Sequence, residues 1–288
     1  MIKFGPAGNS DSFYEEGYKT TLDVPRWLYG RSLNAYEYQC TRGVRINRTF
    51  SQALAVQASR YHIALSIHAP YYINLASPDP AIQESSKQHL IKSLSAAKWM
   101  GATRVVFHPG AAAKLGRTDA LQNALTLLEK IISDLDEELL EDCFLCPETM
   151  GKANQLGTVA EVLELCKLHP KIIPAVDFGH IHALGGGCLK DESHFIKVLE
   201  KIAHALGEET VKNLHVHFAP VEYTAAGEKK HCTLKEKEFG PDFYPFAKVI
   251  AEKGLTPTII CESAGTQAED AAAFLSMYNS LKQNSLKS

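Results

Sequence analysis

Six short apolar runs in this chain of 288 residues carry an imidazole or a carboxylate at or near their ends. They are Ile63–His68, Arg104–His108, Phe144–Glu148, Ile172–Asp177, Leu214–Phe218 (with His215 and His217) and Thr258–Glu262. Imidazole nitrogens and carboxylate oxygens are the donors of zinc and manganese sites. His180 follows three residues after Asp177, and His231 lies in a charged stretch after the fifth run. A lone histidine is usually a hydrogen-bonded structural group, and His62, His89, His169, His194 and His204 are read that way. Six strand ends in succession call for another account. Carboxylates crowded in a low dielectric are costly unless cations lie between them. Glu148, Asp177 and Glu262 with at least four histidines could hold more than one ion, and two-metal sites space their ions about 3.5–4 Å apart.

The elements that would position these residues alternate along the chain. Ile2–Ala7 and Ala35–Gln39 read as strands ahead of the six runs. Between strands lie amphipathic stretches: a helix over Thr21–Ser32 broken early by Pro25, one capped by Asn47 and running to Tyr61, one from Ala81 to Met100, and one from Thr118 to Asp136 with leucines and isoleucines at helical spacing. Thr158-x-x-Glu161 and Thr266-x-x-Glu269 read as capping boxes opening helices to Leu168 and Lys282. Helices are also expected over Glu192–Leu206 and Tyr244–Lys253, and residues 219–241 form a long charged loop suspect as functional. Eight strand–helix alternations without a linker predict an α/β protein, a single (β/α)8 TIM barrel over residues 1–288. In such a barrel active sites gather at the C-terminal strand ends. The period-two alternation sends His68, His108, Glu148, Asp177 and Glu262 into the mouth with their face-mates. His215 and His217 share one parity, so either could enter.

Composition narrows the classes. The chain is 45% hydrophobic and 22% charged, with a formal net charge of -3. No run approaches the roughly 20 apolar residues of a membrane helix, so a cytoplasmic protein without a membrane partner is expected. Seven cysteines at irregular spacing argue against a disulfide framework, and Cys143-x-x-Cys146 reads as a pair of buried thiols. The charge disfavours a nucleic-acid coat protein but allows an enzyme that concentrates positive charge in one cleft.

His68-Ala-Pro-Tyr-Tyr-Ile-Asn-Leu75, Phe107-His-Pro-Gly110, Pro147-Glu-Thr149, Val176-Asp-Phe-Gly-His180, the His215 strand and Cys261-Glu-Ser263 occur in this order. The set resembles the motifs of the endonuclease IV family of apurinic/apyrimidinic (AP) endonucleases, within the xylose isomerase-like metal-dependent barrels, over roughly residues 60–265. The resemblance implies a zinc site, with manganese as an alternative. His68, His108 and Glu148 would hold one ion; Glu148 would bridge to a second held by Asp177, His215 and Glu262; His180 and His231 would hold a third. The family's carboxylate two residues before the last histidine is Lys229 here. Either Glu228 moves in, the third ion binds weakly, or Lys229 occupies phosphate-binding space.

The implied chemistry is hydrolysis of the phosphodiester 5′ to an abasic site in double-stranded DNA, with Glu148 and Glu262 as catalytic carboxylates and no obligate protein partner. Tyr71 matches a family tyrosine that meets DNA near the lesion. Arg42 stands where a longer DNA-binding insertion is absent, and Lys229 and Lys230 could track phosphates. Two other readings compete: a one-metal sugar isomerase or epimerase of the same superfamily, with Glu148 and Glu262 as proton shuttles, and a lesion-binding protein that does not cleave.

Overall fold

The computed structural model describes residues 1–112 and 115–285. Among them, eight parallel strands follow one another around a ring: β1 (Lys3–Pro6), β2 (Ala35–Gln39), β3 (Ala64–His68), β4 (Arg104–Phe107), β5 (Phe144–Pro147), β6 (Ala175–Asp177), β7 (His215–Phe218) and β10 (Thr258–Cys261). The continuous ladders form two arcs, β2-β3-β4-β5 and β6-β7-β10-β1. Isolated parallel bridges join them, Ala7 to Glu37 on one side and Leu145 to Ile172 and Glu148 to Ala175 on the other. With helices outside the strands, this is the architecture of a TIM barrel. Gly5 marks the tight seam beside β2, because a Cβ there would come within 1.8 Å of the Ala35 carbonyl oxygen.

Strand parity decides what faces in. On β7 the side chains of His215 and His217 enter the barrel, while Val216 and Phe218 pack outward, all four buried. Phe218 meets Phe178, Phe195, Phe243, Phe246 and Phe274 in one aromatic cluster, with Phe178 and Phe246 centroids 4.5 Å apart. Burying each such ring stabilises the fold by about 1.5–3 kcal/mol. The cluster therefore anchors the backbone that carries His217 and Asp177 from outside the ring.

Several helices begin where their sequences signal. Asn47 caps Arg48–Arg60, and Thr158 and Glu161 form the capping box of Val159–Cys166. Asp79, Asp191 and Asp242 cap Pro80–Met100, Glu192–Leu206 and Phe243–Lys253.

Other expectations are corrected. Pro25 lies in the first turn of the helix Val24–Tyr29, where its missing N–H costs nothing, so it starts that helix instead of breaking one. The final helix is Gln267–Ser285. Ser10 accepts a hydrogen bond from the Ala268 N–H, Glu269 pairs with Ser12, and Thr266 donates to Asp270. The loop after β7 contains an antiparallel hairpin, β8 (Val221–Thr224) and β9 (Gly227–His231). A short helix, Phe178–Leu184, starts directly after β6 because the Asp177 carboxylate accepts from the His180 N–H at 2.7 Å. Cys143 and Cys146 are free and buried, and burial raises both thiol pKa values, Cys143 to about 12. No helix among the described residues is long and apolar enough to cross a membrane.

Candidate metal centre at the barrel mouth

Glu148, one residue past β5, sits at the centre of the mouth with its side chain 1% exposed. One carboxylate oxygen lies 3.1 Å from His68 Nε2 and 3.2 Å from His108 Nε2. The other lies 3.1 Å from His217 Nδ1 and 3.4 Å from His180 Nδ1. Burial alone would raise this carboxyl pKa, but His217, His108 and His180 hold it well below the usual range. A carboxylate offering separate oxygens to separate groups of imidazoles has the disposition of a bridging ligand.

Backbone carbonyls orient three of the rings. His68 Nδ1 donates to the Ala69 oxygen at 2.8 Å, His180 Nδ1 to Thr149 at 2.9 Å, and His231 Nδ1 to Glu262 at 3.1 Å. In each ring that turns Nε2 toward the centre as the atom that would ligate an ion, the arrangement by which outer contacts fix ligand tautomers. His180 Nε2 and His231 Nε2 face each other at 3.2 Å, so a proton or a metal cation must lie between two lone pairs. Asp177 Oδ2 is buried with no hydrogen-bond partner. Orphaned oxygen and facing nitrogens of this kind fit a divalent ion.

Among the described residues, four sets of side chains bring ligand atoms within 4.8 Å of one another: His68, His108 and Glu148; Glu148, Asp177, His217 and Glu262; Asp177, His180 and His231; and, deeper, Glu37, His215 and His217. His215 is thus not at the rim. It lies two residues deeper on β7 and pairs with Glu37 at 2.9 Å, while His217 occupies the position beside Glu148 and Glu262. The pKa values differ accordingly: burial pushes His215 down to about 4, whereas three surrounding carboxylates overcome burial and lift His217 well above the usual imidazole value. Burial raises the Glu262 carboxyl despite His217 and His231 nearby.

The hairpin sets which way Glu228 and Lys229 face. Its pairing runs Val221 with His231 and Glu222 with Lys230, then shifts so that Tyr223 faces Glu228. Lys229 is the extra residue of a β-bulge, and a bulge brings residues three apart onto one face. Glu228 therefore joins His231 on the inner face. Its oxygens lie 3.6 Å from His231 Nε2 and 3.5 Å from His180 Nε2. Lys229 points away, pairs with Glu222 at 2.6 Å and leaves its side chain 59% exposed. Gly227 (φ +101°) allows this fit, since a Cβ there would come within 2.1 Å of the Gly151 carbonyl oxygen.

A cavity of about 340 Å3 opens over the centre, lined among others by Tyr71, Lys152, Gln155 and Glu228. Tyr71 stacks on His108, with centroids 5.1 Å apart. Of the cations proposed from sequence, Lys230 pairs with Glu236 at 3.3 Å outside the cavity, Arg42 is exposed beyond β2, and neither lines it. Lys152, which the sequence did not single out, is the only lysine or arginine lining the cavity among the described residues. Its signal was its place four residues after Glu148, on the loop leaving a strand end.

A sequence profile of the xylose isomerase-like TIM barrel family matches residues 30–278. The chain is 33% identical to uncharacterized protein MJ0133 of Methanocaldococcus jannaschii over 98% of both chains. It is 31% identical to Probable endonuclease 4 of Mycoplasma pneumoniae over 61% of this chain and 60% of that one. Among solved structures, a D-tagatose 3-epimerase-like protein superposes with a TM-score of 0.74 at 19% identity, covering 99% of this chain and 100% of that one. Endonuclease IV from Thermus thermophilus superposes with a TM-score of 0.69 at 17% identity, covering 98% and 99%. The chain belongs to the xylose isomerase-like TIM barrel family. Within it, relatives named Probable endonuclease 4 recur at 25–31% identity.

Proposed function

We propose that this protein is a metal-dependent phosphodiesterase that hydrolyses DNA 5′ to abasic sites. The observation that carries the reading is the number of converging donors: His108, His180, Glu228 and His231 lie beyond what one ion shared by Glu148, Asp177, His217 and Glu262 requires. On this reading His68, His108 and Glu148 hold one ion, Glu148, Asp177, His217 and Glu262 a second, and His180, His231 and Glu228 with Asp177 a third. Divalent ions so held, zinc or manganese, supply Lewis acidity: they lower the pKa of water and offset charge on a phosphoryl group.

The chain's own residues do the rest. Glu148 holds four imidazoles around one point and fixes the direction of attack. Glu262, which lines the cavity 3.4 Å from His217 Nδ1 and 3.6 Å from His231 Nδ1, accepts the proton of the attacking water. Tyr71 walls the cavity beside His108, and an abasic nucleotide, having no base to unstack, enters it at low cost.

Lys152 lies 4.0 Å from Glu228 with its side chain half-exposed, placed to meet a phosphate. Lys152→Met is expected to raise KM for an abasic duplex by about tenfold and to reduce the salt slope of binding by about one, with bound metal unchanged. Steady-state incision at several salt concentrations would show this, and an unchanged salt slope would remove Lys152 from the substrate site.

The structural likeness to a D-tagatose 3-epimerase-like protein supports a second reading, a one-metal sugar epimerase using Glu148 and Glu262 as proton shuttles. The suggestion of a non-cleaving lesion binder rested on Lys229, and it weakens with Glu228 in the inner position. Metal analysis of the purified protein separates the two enzymes. Two or three tightly bound ions per chain are expected, and a single ion held by Glu148, Asp177, His217 and Glu262 would favour the epimerase.

A further inference from the structure

We propose that Glu37 is the positioning residue that sets the ligand atom of His217, an inference resting on the metal-centre reading above. Glu37 is fully buried on the inner face of β2, one layer below the mouth. One of its oxygens accepts a hydrogen bond from Ser66 Oγ at 2.9 Å and meets His215 Nε2 at 2.9 Å. The other lies 3.0 Å from His217 Nε2, with Gln39 Nε2 donating to it at 3.3 Å. Glu37 Oε1 is the group that His217 Nε2 faces, a close contact outside regular hydrogen-bond geometry.

The His217 ring thus spans two layers. Its Nδ1 points up, 3.1 Å from Glu148 and 3.4 Å from Glu262, and its Nε2 points down at Glu37. An imidazole that ligates through Nδ1 must carry its proton on Nε2, and a carboxylate accepts that proton's hydrogen bond more strongly than a neutral group does. The other rings differ in this respect. His68, His180 and His231 give their outer N–H to backbone carbonyls at 2.8–3.1 Å, whereas the outer nitrogen of His217 faces the Glu37 carboxylate at 3.0 Å. Glu37 therefore fixes the His217 tautomer that leaves Nδ1 for the ion. Ser66 on β3 and His215 on β7 keep the Glu37 carboxyl from rotating, so the support is built from three strands.

The test is a chelator competition on full-length protein loaded with zinc, comparing wild type, Glu37→Gln and Ser66→Ala, with circular dichroism to establish folding. In Glu37→Gln the ion held by His217 should lose about 10–100-fold in affinity, while the ion held by His180 and His231 keeps its own. Ser66→Ala should weaken the same ion by a smaller factor. A uniform loss at every ion would mark Glu37 as a structural filler, and unchanged affinity throughout would overturn the proposal. A wild-type protein that binds no ion would overturn the metal centre itself, a result distinct from either. Should Glu37→Gln misfold, Ser66→Ala carries the test: no site-selective weakening there overturns the proposal.

Discussion

Glu148→Gln is expected to weaken both ions that share this carboxylate and abolish incision. Glu148 is buried and its two oxygens serve His68, His108, His180 and His217, so the amide removes one acceptor oxygen and the whole charge. Breaking a buried charged pair by removing one partner costs about 3–5 kcal/mol. That corresponds to roughly two to three and a half decades in metal affinity. Because Glu148 belongs to two ligand sets, both ions should weaken together, unlike the selective loss expected for Glu37→Gln. Competition with a calibrated chelator measures the affinity, and the incision rate at saturating metal measures what geometry remains. Wild-type affinity in this variant would remove Glu148 from the centre.

Removing the metal should make stability fall with rising pH. In the metal-free protein the carboxylates hold His180 charged, its pKa raised to about 10 despite burial, and His68 and His217 shift the same way. A histidine whose folded pKa exceeds its unfolded value contributes stability that is complete below about 6.5, the unfolded value. That contribution is lost as pH rises through the folded value, here the window from about 6.5 to about 10. On the acid side, burial keeps His215 neutral down to about 4 and lowers the His108 pKa, so both cost stability as pH falls through 6.5. Glu148 and Glu37, held low by their histidine partners despite burial, lose their contribution only on further acidification.

Metal binding reverses the alkaline trend, because ligating imidazoles must be neutral and their protons are released. An ion at a thousandfold excess over its Kd adds about 4 kcal/mol. At about 2–4 °C per kcal/mol, Tm should rise by on the order of 10 °C for each such ion. Thermal unfolding with and without chelator between pH 6 and 9 should show a gap that widens with pH. A gap that narrows would contradict this charge balance.

Much of the centre was legible because strand periodicity is exact. His68, Glu148, Asp177 and Glu262 lie at or just beyond strand ends, and the parity that buries their apolar face-mates turns them into the mouth. Asp177 also carries a helix-start signal three residues before His180, which Gly179 disguises. The choice between His215 and His217 was not legible, since both share one parity and only depth in the barrel separates them. Glu37 was hidden for a related reason: between Tyr36 and Tyr38 it resembles the polar half of an ordinary alternating strand. Lys229 misled because a count of two residues back from His231 assumes a regular strand. The bulge belongs to the pairing of two strands, and a single strand's sequence does not reveal it. Lys152 enters through contact between the loop after β5 and the hairpin, which is tertiary.

The most direct measurement of the central claim is incision of a labelled duplex carrying one abasic site by the metal-loaded protein, with Glu148→Gln alongside. Cleavage on the 5′ side, leaving a 3′-hydroxyl and a 5′-deoxyribose phosphate, and its loss in Glu148→Gln, is the result expected. An intact duplex, together with interconversion of ketoses by the same preparation, would contradict the account and assign the centre to sugar epimerisation.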